Sequence, residues 1–217
     1  DLMQQAFDMQ YGWEAHHLMN DIVKNKKTVL DWNNYIQNRT QKYAVDDITM
    51  NFTSNHDENS WNGTECERLG NAVETFAALS FMTPGMPLIY NGQEYDFNRR
   101  LKFFVKDEIT PKTKAKMFAV YQKLGKLKNT NPALNGGKNP ASYNAITNSL
   151  PEKILTFIRQ KDKNEVVYIA NLSADNQVFT ANLVGNYIDY MTQKPIVLTQ
   201  NQTFDFKPGE YKILMKK

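Results

Sequence analysis

One cysteine, three histidines and eight prolines in 217 residues rule out several kinds of protein. Cys66 is alone, which excludes an internal disulfide framework and a cysteine-rich zinc site. No run of about 18 apolar residues occurs, so no segment reads as a membrane span. A dominant charge is also lacking. Lys and Arg total 26 against 23 Asp and Glu, scattered rather than striped, which argues against nucleic acid as a partner. No internal repeat or low-complexity stretch is present. What the chain has is 41% hydrophobic and 12% aromatic residues, enough at this length to bury a core. It starts at Asp1 instead of methionine, which reads as a piece of a longer protein with any targeting signal upstream.

The first half alternates strand-like and helix-like runs. Met3 to Gln10 reads as a short strand ending at Tyr11-Gly12. Ala15, Leu18, Met19, Ile22 and Val23 follow the spacing of an amphipathic helix. Thr28 with Asp31 three residues on predicts a capped second helix, with Trp32 and Ile36 on its buried side. Ile48 to Phe52 is a strand running into Ser54-Asn55-His56-Asp57. Thr64 and Glu67 form a capping box before a helix that Pro84 stops. Met86 to Tyr90, nearly all apolar, predicts a parallel strand covered on both faces. Thr110-Pro111 predicts the start of a helix ending at Asn131-Pro132, its lysines between Lys102 and Lys128 forming a solvated face.

After Asn135-Gly136-Gly137 the rhythm changes. Strand-like runs at 153–160, 165–172, 177–183, 186–191, 202–206 and 210–216 are separated by turn signals with no helix pattern. The fold class expected is therefore α/β plus all-β. Residues 1–135 would hold βα units around a parallel sheet, and residues 136–217 an antiparallel β-sandwich. The sandwich is expected to fold more independently, with Gly136-Gly137 as the site where a protease would separate the two.

Asn51 to Asp57 ends a strand and precedes a capped helix. In a (β/α)8 barrel that is the face on which active sites are built. Adjacent His56 and Asp57 can hydrogen-bond sugar hydroxyls and hold negative charge against a developing cation. Gly85 to Glu94 puts glycines and a carboxylate at the end of the next strand.

These residues resemble the α-amylase family, glycoside hydrolase family 13. The family's fourth motif is matched by Phe52 and Asn55-His56-Asp57, and its late glycine–proline and glycine–glutamate motif by Gly85, Pro87, Gly92 and Glu94. Phe7 to Tyr11 looks like the sixth barrel strand. Asn131-Pro132-Ala133-Leu134 is similar to the segment closing the barrel before the C-terminal sandwich. The resemblance spans nearly the whole chain and implies about the last three βα units of the barrel. It implies that Asp57 stabilises the oxocarbenium-like transition state and that His56 binds the sugar at the cleaved position. Asn55, Trp61 and Glu94 are further substrate-binding candidates. The substrate implied is an α-glucan such as starch or maltodextrin, cleaved with retention. Retaining glycosidases need two more carboxyl groups roughly 5–5.5 Å apart. In this family those come from earlier strands, so the chain alone is expected to be inactive. No metal or cofactor is expected within it; a calcium ion is implied, if anywhere, upstream.

Each feature also has a plainer reading. Asn-His-Asp can be a polar turn with a capping aspartate. Trp61 can pack instead of stacking on sugar, and Glu94 can bind backbone at the strand end. A metal at His56, Asp57 and Glu58 is disfavoured because neighbouring side chains diverge, and adjacent His16 and His17 face apart on a helix. The competing function is a non-catalytic carbohydrate-binding or interaction module. Three strands cannot close an eight-stranded barrel. Self-association through exposed edges and apolar surface is therefore expected of the chain by itself.

Overall fold

The structure, a computed structural model, describes residues 2–216. Asp1 and Lys217, the outermost residues of the two expected domains, lie outside the described residues. The first half opens with α1 (Leu2–Gln5) and β1 (Met9–Tyr11), followed by α2 (Trp13–Val23), α3 (Val29–Lys42) and β2 (Ile48–Asn51). A π-helical turn (Glu58–Asn62) leads to α4 (Glu65–Leu69), α5 (Val73–Met82), β3 (Met86–Pro87) and α6 (Lys116–Thr130). The three strands pair in parallel in the order β1-β2-β3, with Met9 opposite Ile48 and Met50 opposite Met86.

Several expectations hold and others are corrected. The Thr28–Asp31 and Thr64–Glu67 capping boxes both form. The strand expected at 3–10 is instead helix α1 followed by β1; Leu-Met-Gln-Gln are helix formers, and no β-branched residue favours the extended chain. The helix expected from Thr64 breaks after Leu69, where Gly70 takes φ 54° and the chain restarts at Val73. The run Met86–Tyr90 pairs only over Met86–Pro87. Its Met86 and Ile89 are 46% and 39% exposed because β3 is an edge with no outer neighbour among the described residues. The last helix begins at Lys116, not at Pro111. Lys114 at φ 61° interrupts any earlier start, and Ala115 at the N-cap offers no side-chain acceptor. Asp96 takes that role from a distance, its carboxylate accepting from the Lys116 and Met117 amides at 2.8 and 2.9 Å.

The second half carries β4 (Ser142–Ala145), β5 (Ile154–Lys161), β6 (Asn164–Asn171), β7 (Gln177–Thr180), β8 (Gly185–Asp189), β9 (Pro195–Leu198), β10 (Thr203–Phe206) and β11 (Tyr211–Lys216). Six form an antiparallel sheet in the order β4-β5-β6-β11-β8-β9, while β7 and β10 pair separately. Ile154, Val167, Ile169, Phe179, Phe204, Phe206 and Leu214 form an apolar cluster belonging to this half alone.

The other apolar cluster crosses the chain's midpoint. Trp32 of α3, Phe76 and Leu79 of α5, and Leu124 of α6 share it with Phe157, Val166, Tyr168 and Ile213 of the large sheet. Polar contacts reinforce the join. The Tyr168 hydroxyl donates to Thr75 O at 2.8 Å, and that of Tyr211 to the Glu74 carboxylate at 2.8 Å. Arg159, fully buried, donates to the carbonyls of Met82, Asn135 and Ser142 at 2.8–3.1 Å, and to that of Ala141 at 3.5 Å. Lys128, expected on a solvated face, turns inward and donates to the carbonyls of Gly85 and Leu134 at 2.8 and 2.7 Å. Burial, with Arg159 nearby, holds its pKa down at about 7.

Candidate functional site

Parallel strands send all their carboxyl ends to one face, and here the segments after β1, β2 and β3 converge. Gly12, after β1, donates its amide to Met50 O at 2.8 Å. A Cβ there would meet that same oxygen at 2.8 Å, so only glycine permits the approach. Phe52, fully buried, receives the rings of Trp13 edge-on at 5.1 Å and His16 stacked at 4.7 Å.

A buried polar network fixes the turn beyond Phe52. The Arg68 guanidinium donates to Thr53 O at 2.7 Å, Gly63 O at 3.1 Å and Asn20 Oδ1 at 2.9 Å. The Thr53 hydroxyl donates to Glu65 Oε2 at 2.9 Å and accepts from Gln93 Nε2 at 2.8 Å; Gln93 also donates to Glu65. Burial pushes the Glu65 carboxyl above its ordinary value, opposed by those two hydrogen bonds. Gln93 Oε1 accepts from the Tyr90 amide at 2.6 Å within the segment after β3, and its Nε2 bonds to Thr53 and Glu65 tie that segment to the one after β2.

His16 lies 2.9 Å from Glu58 Oε2 through Nε2 and 3.3 Å from Phe52 O through Nδ1. Burial lowers the His16 pKa, the Glu58 contact opposing it. Burial raises Glu58 in turn, but hydrogen bonds from His16 and Asn62 outweigh it, and its carboxyl stays below the usual range. The two adjacent histidines thus part ways: His16 is buried and partnered, and His17 is exposed.

The motif residues divide between interior and surface. Asn55 is 1% exposed, and its Oδ1 accepts from the Glu58 amide at 2.8 Å, so it caps the turn from inside instead of reaching solvent. His56 and Asp57 start the helical turn and face outward, with side chains 57% and 45% exposed and 3.5 Å apart. At that distance and exposure the pair contributes little to stability. Both remain available to a ligand. Trp61, on the following π-turn, is exposed and leans on Phe103 at 5.3 Å. Glu94 is half-buried, and its carboxylate accepts from the Gly92 amide at 2.9 Å. Sequence reasoning missed the supporting set His16, Glu58, Glu65, Arg68 and Gln93, and the contact of Phe103 with His56. Only the placement of Glu58 and Glu65 beside the motif and the capping box hinted at it.

Among the described residues, no group of three His, Cys, Asp or Glu side chains could hold a metal ion. No described helix is long and apolar enough to cross a membrane.

No protein-family model matches the chain, and no curated relative matches it either. Solved structures do. The chain is similar to the noncanonic maltogenic alpha-amylase AmyB from Thermotoga neapolitana, with TM-score 0.83 and 19% identity over 99% of this chain and 52% of that one. It is similar to an alpha-amylase from Lactobacillus plantarum, with TM-score 0.77 and 21% identity over 99% and 49%. A third is AmyP in complex with maltose, with TM-score 0.67 and 16% identity over 97% and 50%. The likeness is one of fold, and the fold is that of amylase-type enzymes. The chain spans about half the length of these structures.

Proposed function

We propose that this chain is the C-terminal part of a retaining glycoside hydrolase acting on α-glucans. In this reading β1, β2 and β3 are the last strands of a (β/α)8 barrel, and residues 136–217 are the β-sandwich that follows it. The observation that carries the proposal is the outward-facing His56–Asp57 pair. It sits at the carboxyl end of β2, on a turn fixed from behind by buried Arg68, Glu65 and Glu58. The amylase-type fold of the whole chain supports it.

The chemistry follows from the charges. Cleaving a glucosidic bond builds positive charge on the ring oxygen and anomeric carbon. A carboxylate already pointed at that position, on a backbone that need not move, stabilises the charge without reorganisation. Asp57 fills that role and accepts from sugar hydroxyls; His56 donates to the same ring. Asn55 acts by holding the turn, and Glu94 by fixing the Gly92 backbone after β3. The nucleophile and the acid/base belong to the missing strands, so the chain alone is inactive. Its free β1 and β3 edges, with Tyr11 and Met86 exposed, would pair with those strands or with another copy.

The test is turnover of a chromogenic maltoside. The chain alone should give none. Completed by a polypeptide carrying the first barrel strands, it should hydrolyse the substrate, and Asp57→Asn should lower kcat by roughly 10²–10³. Turnover by the isolated chain that Asp57→Ala abolishes would overturn the reading. So would a completed enzyme indifferent to Asp57→Asn.

A further inference from the structure

The longest excursion between regular elements runs from Asp96 to the start of α6, and it passes beside the His56–Asp57 pair. It has no regular secondary structure over residues 97–115, yet it is tied down. Arg99 grips Asp107 with both terminal guanidinium nitrogens, at 2.7 and 2.9 Å. Asp107 also accepts from the Lys102 and Glu108 amides, at 3.0 and 2.9 Å. This surround of donors holds the Asp107 carboxyl well below the ordinary carboxylate range. Asn59, on the π-turn, accepts from the Leu101 amide at 2.7 Å and donates to Arg99 O at 3.2 Å. The loop is therefore pinned to the turn that carries Trp61.

The result is a cluster of exposed rings that no folding requirement explains. Phe104 is 84% exposed and Trp61 57%, at a cost in apolar surface left in water. The Phe103 ring lies 6.0 Å from that of His56 with 28° between their planes, and 5.3 Å from Trp61. A cavity of about 220 Å³ opens there, lined by His56, Ser60, Tyr90, Lys102, Phe103 and Asp107. Flat apolar rings edged by hydroxyl, ammonium and carboxylate groups match the two kinds of surface of a pyranose, its C–H face and its hydroxyl rim. A larger cavity, about 820 Å³, is lined by Asp47, Gly85 and Asn135. It lies at the opposite ends of the strands, away from His56, and does not compete for the same ligand.

We propose that Phe103 and Trp61 form a stacking platform for the part of an α-glucan chain that extends outward from His56, with the Arg99–Asp107 clamp as the positioning device. The choice of an α-glucan over other sugars rests on the function proposed above, since the cavity shares His56 with that site. Preorganised aromatic surface of this kind contributes affinity because the rings lose little freedom on binding.

The experiment is a titration of the full chain with maltoheptaose, followed by tryptophan fluorescence. A saturable change is expected that Trp61→Phe abolishes, which separates Trp61 at the platform from Trp13 beside Phe52 and from the buried Trp32. Phe103→Leu should weaken binding roughly three- to tenfold and Phe103→Tyr should preserve it, a split that aromatic stacking predicts and mere packing does not. Asp107→Asn should weaken binding in the same direction with Tm unchanged. No saturable response, an equal response to cellohexaose, or indifference to Phe103→Leu would overturn the proposal. The two readings separate cleanly. Binding lost only in His56 or Asp57 variants would remove the platform and leave the catalytic reading standing. Phe103-dependent binding by a completed enzyme without turnover would do the reverse.

Discussion

The parallel sheet is built from strands of three, four and two residues, whereas β5 and β6 of the other half run for eight residues each and pair along their whole length. Among the described residues, the short sheet has two open edges and no apolar cluster of its own; its helices α3, α5 and α6 pack into a cluster completed by β5, β6 and β11. The large antiparallel sheet contributes to that cluster and has a second one besides, shared with β7 and β10. The dependence is therefore one-sided. The half that presents His56 and Asp57 leans on the half that presents no candidate residue.

Severing the chain at Gly136-Gly137 is the harshest way to break this comparison. Residues 1–135 should then lose fixed tertiary packing by near-UV circular dichroism, while residues 136–217 keep their antiparallel sheet. A cooperative urea transition from the isolated first half would show that the dependence is not one-sided. Next in size is Arg159→Met. It removes a buried donor set shared among carbonyls from both sides of the join, Met82 on one and Ser142 on the other. Orphaning those carbonyls should cost at least about 3 kcal/mol in urea unfolding.

The smallest effect concerns pH. Lys128 binds its proton more weakly folded, at about 7, than unfolded, at 10.5. Between those values the unfolded chain holds more protons, so this group adds stability as pH rises from 7; below 7 its penalty is complete. Against Lys128→Met, the wild type should therefore gain up to about 2 kcal/mol between pH 7 and 9. A stability difference that stays flat over that range would place the Lys128 ammonium in a watery environment instead.

The parts of the fold legible in the sequence are those that carry a local signal: helical apolar spacing, a capping box, or an apolar run bounded by turn residues. Helix α2 stands where its apolar spacing puts it, α3 where its capping box does, and β2, β5, β6 and β11 where strand-like runs bounded by turn signals put them. Two strands went unread, β4 and β9, and they are the two edges of the six-stranded sheet. An edge strand such as Ser142–Ala145 has one neighbour and little buried surface, so its residues carry no alternation to read. The start of α6 was misplaced for a different reason: its cap comes from Asp96, twenty residues away. The candidate site divides in the same way. Asn55-His56-Asp57 is contiguous and visible. Its support joins His16, Glu58, Arg68 and Gln93 through contacts that span 77 positions from His16 to Gln93, and no spacing rule connects them.

The Asp96 carboxylate has one more consequence. It closes the first turn of α6 and, through Lys112, also anchors the far end of the excursion that precedes that helix. The nineteen residues between Asp96 and Lys116 therefore leave and rejoin the scaffold at one point, as a drawer does its cabinet. Lengthening a loop whose ends are already fixed adds only slowly to its entropic cost. Residues can be inserted, deleted or exchanged around Phe103 and Phe104 while the sheet and α6 keep their places. On the platform reading, ligand preference is thus separable from foldability, and a library randomised over 101–106 would sample the one without risking the other.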